Sequence, residues 1–307
     1  MGPGNSVRVF QVDAFTSRRF GGNPAGVVLD ADALSEQDMR ALARELNNGD
    51  TAFLLQPDAP DHDLRVRFFT PRSEAAFVGH ATLAAHAVLA SLQLAPRRRQ
   101  KQLSGLVEVD TVAGDPAAGV ATRISIRQPP PRLGRLLEPP ELAAVLNALA
   151  LTPADLDPRC PAMIAGQGST RLVLGVLEAS VLGRVRADPV RLRALSAQIA
   201  APGFFLFTLR PSLAGVLSEA RMFCPALGID EDPVSGNAHA LLGTYLLHHG
   251  LLPPEGPSGC VGFSGAQGDF IGRPGRVHVS MQFEQRQLRS VSISGEAVIV
   301  FATVVAF

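Results

Sequence analysis

Apolar and polar positions alternate in short runs along most of this chain, and in four places the alternation gives way to helical spacing. Period-two runs predict strands near 7–13, 51–56, 64–69, 104–112 and 120–127 in the first half, and near 171–177, 203–209, 219–224, 260–264 and 276–283 in the second. An amphipathic helix is expected after Ser35, an N-cap with Asp38 three positions on, running to about Leu46. A second is expected at 189–199, with Pro189 in the first turn. The other two helices differ in kind. The runs 80–92 (HATLAAHAVLASL) and 237–247 (NAHALLGTYLL) are apolar on nearly every face, so each needs to be surrounded rather than laid on a surface.

The order of these elements occurs twice. Arg67-Phe68-Phe69-Thr70-Pro71 returns as Arg221-Met222-Phe223-Cys224-Pro225, and Arg40-Ala41-Leu42-Ala43 as Arg193-Ala194-Leu195-Ser196. Gly114-Asp115 returns as Gly268-Asp269, Arg123-Ile124-Ser125-Ile126 as Arg276-Val277-His278-Val279, and Gly79 as Gly236. Each match is short, but all fall in one order at about half the chain length, the mark of a duplicated domain. The reading is α+β: two pseudo-symmetric domains, each a barrel-like mixed sheet around a central apolar helix. The domains are set at 1–128 and 129–290, with Pro129-Pro130-Pro131 as the linker. The last strand, about 291–307, can return to the first domain or stay with the second.

Composition narrows the functional classes. The chain has 307 residues, 46% hydrophobic and 18% charged, with 28 basic against 28 acidic side chains. That balance offers no footprint for nucleic acid or an anionic membrane. The one basic run, Arg97 to Lys101, reads as a solvated loop. Residues 1–6 are a short polar leader unlike a signal peptide, and no apolar run is long enough to span a bilayer. Cys160, Cys224 and Cys260 are odd in number and lack paired spacing, so neither disulfides nor zinc is expected, and a cytoplasmic location is. Dinucleotide, phosphate-loop, zinc-protease and serine-hydrolase motifs are absent, and Gly166-Gln167-Gly168-Ser169 reads as a turn.

Candidate chemistry collects at the starts of the two buried helices. Gly79-His80 and Ser235-Gly236-Asn237 offer open backbone N–H groups and the positive end of a helix dipole, and glycine lets a ligand come close. Related by a two-fold axis, the two starts would serve one small carboxylate. Asp50 lies between a helix end and an apolar strand, and Asp232 just before the second central helix. Carboxylates and a histidine near apolar walls suit proton transfer. Each also has an ordinary reading: Asp50 as a turn cap, Asp232 as a helix cap, His80 as a satisfied helix-start residue. His86 and His239, inside the apolar helices, read as core.

Several longer motifs carry a family resemblance across essentially the whole chain. Phe20-Gly21-Gly22-Asn23-Pro24-Ala25 is similar to F-x-G-N-P-A, and Phe69-Thr70-Pro71 with Gly79-His80-Ala81-Thr82-Leu83 to F-T-P followed by G-H-A-T-L. Arg221-Met222-Phe223 and Pro225, then Glu231 to His239 (EDPVSGNAH), resemble R-x-F-x-P followed by E-D-P-V-T-G-S-A-H. These are motifs of the PhzF-like isomerases of phenazine biosynthesis, which share the diaminopimelate epimerase fold. The resemblance implies a homodimer and a cofactor-free, metal-free proton shift within a small carboxylate such as trans-2,3-dihydro-3-hydroxyanthranilate. It gives His80 and Asp232 family roles in catalysis and orientation, with Gly79, Ser235, Gly236 and Asn237 around the substrate. The family's catalytic glutamate position holds Asp50, and its serine position holds Asn237. Amino-acid racemisation on the same fold, using Asp50 and Asp232, and non-catalytic binding of a small acid or a protein stay open as alternatives.

Overall fold

The computed structural model describes residues 6–94, 96–112, 114, 122–166, 170–253 and 256–307. Asp115 of one repeat match, the first two residues of the strand expected at 120–127, most of the polar leader and the 167–169 turn lie outside these. The chain divides into two compact units, one of Met1–Gln128 with Ser294–Phe307 and the other of Pro129–Ile293.

The first unit contains β1 (Ser6–Ala14), β2 (Asn23–Leu29), α1 (Glu36–Leu46), β3 (Asp50–Leu55), β4 (Leu64–Phe69), β5 (Glu74–Ala75), α2 (Gly79–Ser91), β6 (Arg97–Gln102), β7 (Gly105–Val112) and β8 (Thr122–Gln128). β1 and β2 form a hairpin, β3 joins β2 in parallel after the crossover through α1, and β4 returns antiparallel. β6 then pairs parallel with β4 after the crossover through α2, and β7 and β8 follow antiparallel. The chain's last strand closes the ring by pairing with both β1 and β8. Closure removes the sheet edges that would otherwise invite mispairing.

α2 runs inside this sheet, packed on β1, β2, β3, β7 and β8. Its side chains from Ala81 to Leu89 are all buried, which is why the helix has no polar face. Each fully buried side chain of the size of Leu83 or Val88 contributes roughly 1.5–3 kcal/mol. α1, in contrast, lies outside with Met39, Leu42 and Ala43 inward and a full capping box between Ser35 and Asp38.

The second unit holds β9 (Leu133–Leu136), α3 (Pro139–Ala148), β10 (Met163–Ala165), β11 (Arg171–Gly175), α4 (Ala179–Arg184), α5 (Pro189–Ile199), β12 (Gly203–Thr208), β13 (Ser218–Cys224), β14 (Ile229–Asp232), α6 (Gly236–His248), β15 (Gly259–Gln267) and β16 (Gly275–Glu284). It also holds the first part of β17 (Gln287–Ala306), whose remainder belongs to the first unit. The pairing scheme repeats: a β10–β11 hairpin, β12 parallel to β11, β13 antiparallel to β12, then β15 parallel to β13. α6 is the buried helix here, against β9, β15 and β16. The fold is thus α+β, a mixed, barrel-like sheet around a central helix in each unit.

One expectation fails. Arg97–Gln102 is strand β6 rather than a solvated loop, held to β7 along its whole length. Arg97 pairs with Glu108 and Asp110, while Gln100 turns fully inward to His86 Nε2 at 3.1 Å. The inward position is polar, so no apolar alternation announces the strand. Among the described residues no helix is long and apolar enough to cross a membrane.

Candidate functional site

In the first unit the structure brings two of the expected residues together. Asp50 opens β3 opposite Ala25 of β2, and His80 is the second residue of α2. Asp50 Oδ2 lies 3.7 Å from His80 Nε2, with both side chains about nine-tenths buried. That gap is too long for a hydrogen bond, yet a single ligand atom could touch both groups. The pair is an ion pair only if His80 is protonated, and its burial opposes this by pushing the imidazole down to about 4. Near neutral pH the imidazole of His80 is therefore uncharged. His80 Nε2 has no hydrogen-bond partner among the described residues.

Local sequence explains the placement. Asn47 ends α1 in the left-handed conformation, and the chain turns through Asn48 and Gly49 straight into β3. Asp50 is thereby fixed at the strand's first position, before the fully buried Thr51. α2 starts at Val78-Gly79 without a side-chain cap, so Gly79, itself buried, brings backbone and dipole to the same place.

The other expected residues cluster in the second unit, at the start of α6. Asp232 ends β14, and Ser235 caps the helix by accepting from Ala238 N–H at 3.3 Å. Gly236 and Asn237 form the first turn, and Asn237 Oδ1 is buried without a hydrogen-bond partner among the described residues. Gln267, absent from the expected set, straps this segment. Its Nε2 donates to the Asp232 carbonyl at 2.7 Å, and its Oε1 accepts from Ser235 N–H at 3.1 Å. The signal for it was a lone amide ending an otherwise apolar strand.

Asp13 was also missed. Only 2% exposed, it accepts from the backbone N–H of Phe20 at 2.6 Å and so shapes the loop between β1 and β2. An acid near the end of a strand of buried valines is the sequence trace it leaves. His86 and His239 are core, as expected, both pushed down to about 4 by burial. The thiols of Cys160 and Cys224 are pushed up to about 12 by burial, so neither is a thiolate near neutral pH. Among the described residues no three His, Cys, Asp or Glu side chains gather as a metal site requires.

Comparison with known proteins places this scaffold. The chain is 40% identical over 296 residues to the uncharacterized isomerase YddE of Escherichia coli O157:H7, covering 96% of each. It is 29% identical over 290 residues to the trans-2,3-dihydro-3-hydroxyanthranilate isomerase of Pseudomonas aeruginosa, covering 94% of this chain and 95% of that one. Its fold superposes on the Bacillus anthracis phenazine biosynthesis protein of the PhzF family with a TM-score of 0.86 at 26% identity, over 99% and 100% of the two chains. The profile of the phenazine biosynthesis-like proteins (PhzC-PhzF) matches residues 12–303, and the chain belongs to that family.

Proposed function

We propose that this protein is a cofactor-independent isomerase that moves a proton from one carbon to another within a small carboxylate substrate. The observation that carries the reading is the buried Asp50–His80 pair, an acid–base couple at 3.7 Å with the imidazole uncharged. Asp50 takes a proton from a carbon next to an unsaturated or carbonyl group. The C–H electron pair passes into the conjugated system, and the same carboxyl returns the proton to a different carbon. No electrons leave the substrate, so the step is balanced without an oxidant. His80, neutral, holds a substrate oxygen by a hydrogen bond beside Gly79, and Asp232, Ser235, Gly236 and Asn237, at the start of α6, are assigned to carboxylate binding and orientation.

Support for a ring-bearing substrate comes from the Pseudomonas relative, whose name specifies trans-2,3-dihydro-3-hydroxyanthranilate. The departure at Asp50 bears on it directly. An aspartate is one methylene shorter than a glutamate, about 1.5 Å of reach from bond lengths, so the substrate must approach β3 more closely here. Incubation with trans-2,3-dihydro-3-hydroxyanthranilate and a panel of small unsaturated carboxylates in heavy water tests the reading. Enzyme-dependent deuterium at carbon in one of them is expected. A complete lack of exchange across the panel rules the reading out.

A further inference from the structure

We propose that Phe20 is a specificity-determining residue, a fixed aromatic wall at the Asp50–His80 site that selects carboxylates carrying a planar ring. The inference deepens the isomerase reading and rests on that site being where the ligand binds. Phe20 sits in the loop joining β1 to β2. β2 leaves this loop at Asn23, and β3, parallel to β2, begins with Asp50 opposite Ala25. The loop, Asp50 and the start of α2 that carries His80 therefore occupy one end of the first unit's sheet.

Two costs are accepted to hold Phe20 there. Phe20 is 71% exposed, well above Phe301, Phe307 and Phe270, the other exposed phenylalanines among the described residues. Its backbone is also left-handed, with φ 69°, a conformation costing a bulky residue on the order of 1–2 kcal/mol. Strain of this kind survives only where the surroundings impose it, and it concentrates at ligand sites.

The surroundings here do impose it. The buried Asp13 carboxylate accepts Phe20 N–H at 2.6 Å, and Arg19 Nε donates to the Ile299 carbonyl at 3.1 Å. Thr16 N–H reaches the Glu296 carbonyl at 3.0 Å, and Gly21 N–H the Arg18 carbonyl at 3.3 Å. Gly22 closes the loop at φ 54°, where a Cβ would lie 2.1 Å from the Ala14 carbonyl oxygen. A loop tied at this many points is a preformed surface rather than a mobile lid. An aromatic face presented in this way gains most from stacking on another flat ring.

The chain contains no tryptophan, so Phe20→Trp introduces a single indole reporter at this position. Benzoate serves as the ring-bearing probe and propanoate as the probe without a ring. Binding is followed by calorimetry on the wild type, Phe20→Ala and His80→Ala, and by tryptophan emission. Leu103→Trp, at an equally exposed turn (72%), is the emission control. Phe20→Ala is expected to weaken benzoate by about five- to tenfold and propanoate by less than about twofold. Phe20→Trp emission should shift with benzoate at the calorimetric midpoint, while Leu103→Trp stays unmoved. Benzoate binding that survives Phe20→Ala unchanged but is lost in His80→Ala overturns the role of Phe20 and leaves the site standing. Emission that follows protein concentration instead of benzoate also overturns it, because the ring is then a contact between copies. A wild type that binds neither probe overturns the site and the wall together.

Discussion

The two units carry the same framework and different chemistry. In each, a crossover helix leads into a strand parallel to a preceding hairpin, and a second crossover buries an apolar helix that begins with glycine. A bidentate arginine–glutamate pair braces both. Arg67 holds Glu74 at 2.8 and 2.7 Å, and Arg221 holds Glu231 at the same distances, each guanidinium 5.0 Å from a phenylalanine ring, Phe69 or Phe223. The difference lies at two positions. Where the first unit starts its parallel strand with Asp50, the second starts with Gly203, facing Arg171. Where α2 carries His80 second, α6 carries Asn237.

The contrast separates support from reaction. The arginine–glutamate brace is retained in both copies because it holds the β4 and β13 strands, whatever happens at the helix starts. A carboxyl group and an imidazole, Asp50 and His80, stand together in the first unit. The second offers an amide and, at Gly203, no side chain at all; a Cβ there would meet Met222 Cε at 2.7 Å and Arg171 Cγ at 3.2 Å. On the reading proposed above, the first copy carries the proton-transfer pair and the second supplies binding groups at the start of α6.

The sharpest way to break this comparison is to exchange the roles. Asp50→Asn should lower the rate of solvent exchange into substrate by about a thousandfold or more, with ligand affinity nearly kept. Asn237→Ala should act mainly on KM, by about tenfold. Asp50→Glu is expected to slow exchange by about tenfold, because an added methylene crowds a carboxylate already 3.7 Å from His80. Steady-state rates read with mass-spectrometric deuterium counts decide among these. Equal losses from Asp50→Asn and Asn237→Ala would erase the division of labour.

Acid stability comes next in size. His80 and His86 in the first unit and His239 in the second are all held at about 4 by burial, below the ordinary 6.5. Unfolding lets each bind a proton, so between pH 6.5 and 4 the unfolded state binds more protons and stability falls as pH falls. The slope should reach about 4 kcal/mol per pH unit near pH 5 when all three contribute. Urea titrations at a series of pH values measure it. His86→Gln should remove about a third, and so should His239→Gln.

The braces give the smallest contrast. Arg221 and Glu231 are more deeply set, at 12% and 16% side-chain exposure, than Arg67 and Glu74 at 31% and 23%. Arg67 also keeps Glu36 as a second partner at 2.7 Å. Glu231→Gln should therefore cost about 2–3 kcal/mol of stability and Glu74→Gln about 1 kcal/mol, measured by denaturant unfolding.

Much of this framework was legible in residue patterns because its signals are local. Ser35 with Asp38, and Pro189, mark helix starts through short-range capping, and the all-apolar runs of α2 and α6 declare burial. Elements whose inward residues are polar, or whose faces are both buried, were silent. β6 turns Gln100 inward. β2 begins Asn-Pro and is buried on both faces, so it shows no alternation. β9, β10 and β14 are too short to show a period, and α3 opens on Pro139-Pro140 close behind the Pro129–Pro131 linker, where the prolines obscure a helical pattern. Asp50 and His80 are far apart in sequence, so their proximity is a tertiary fact that periodicity cannot carry; motif resemblance singled them out. Asp13 and Gln267 act on backbone groups, so each leaves only a lone polar side chain near a strand end and no pattern that names its partner.

The closing strand β17 bears on how the molecule comes to exist. It pairs with β1 from Ser6 opposite Ala306 to Ala14 opposite Ala297, joining strands about 290 residues apart in sequence. During synthesis the second unit's segment up to Ile293 is complete before the first unit can shut its ring, although the first unit is translated earlier. Until residues 297–306 are in place, β1 has β2 along one edge and no partner along the other. Ring closure across almost the entire chain also carries the full entropy of a long loop, which slows folding more than it weakens the folded state. A chain interrupted before Ala297 would leave β1 with an open edge from Ser6 to Ala14, and such an edge invites pairing with another chain.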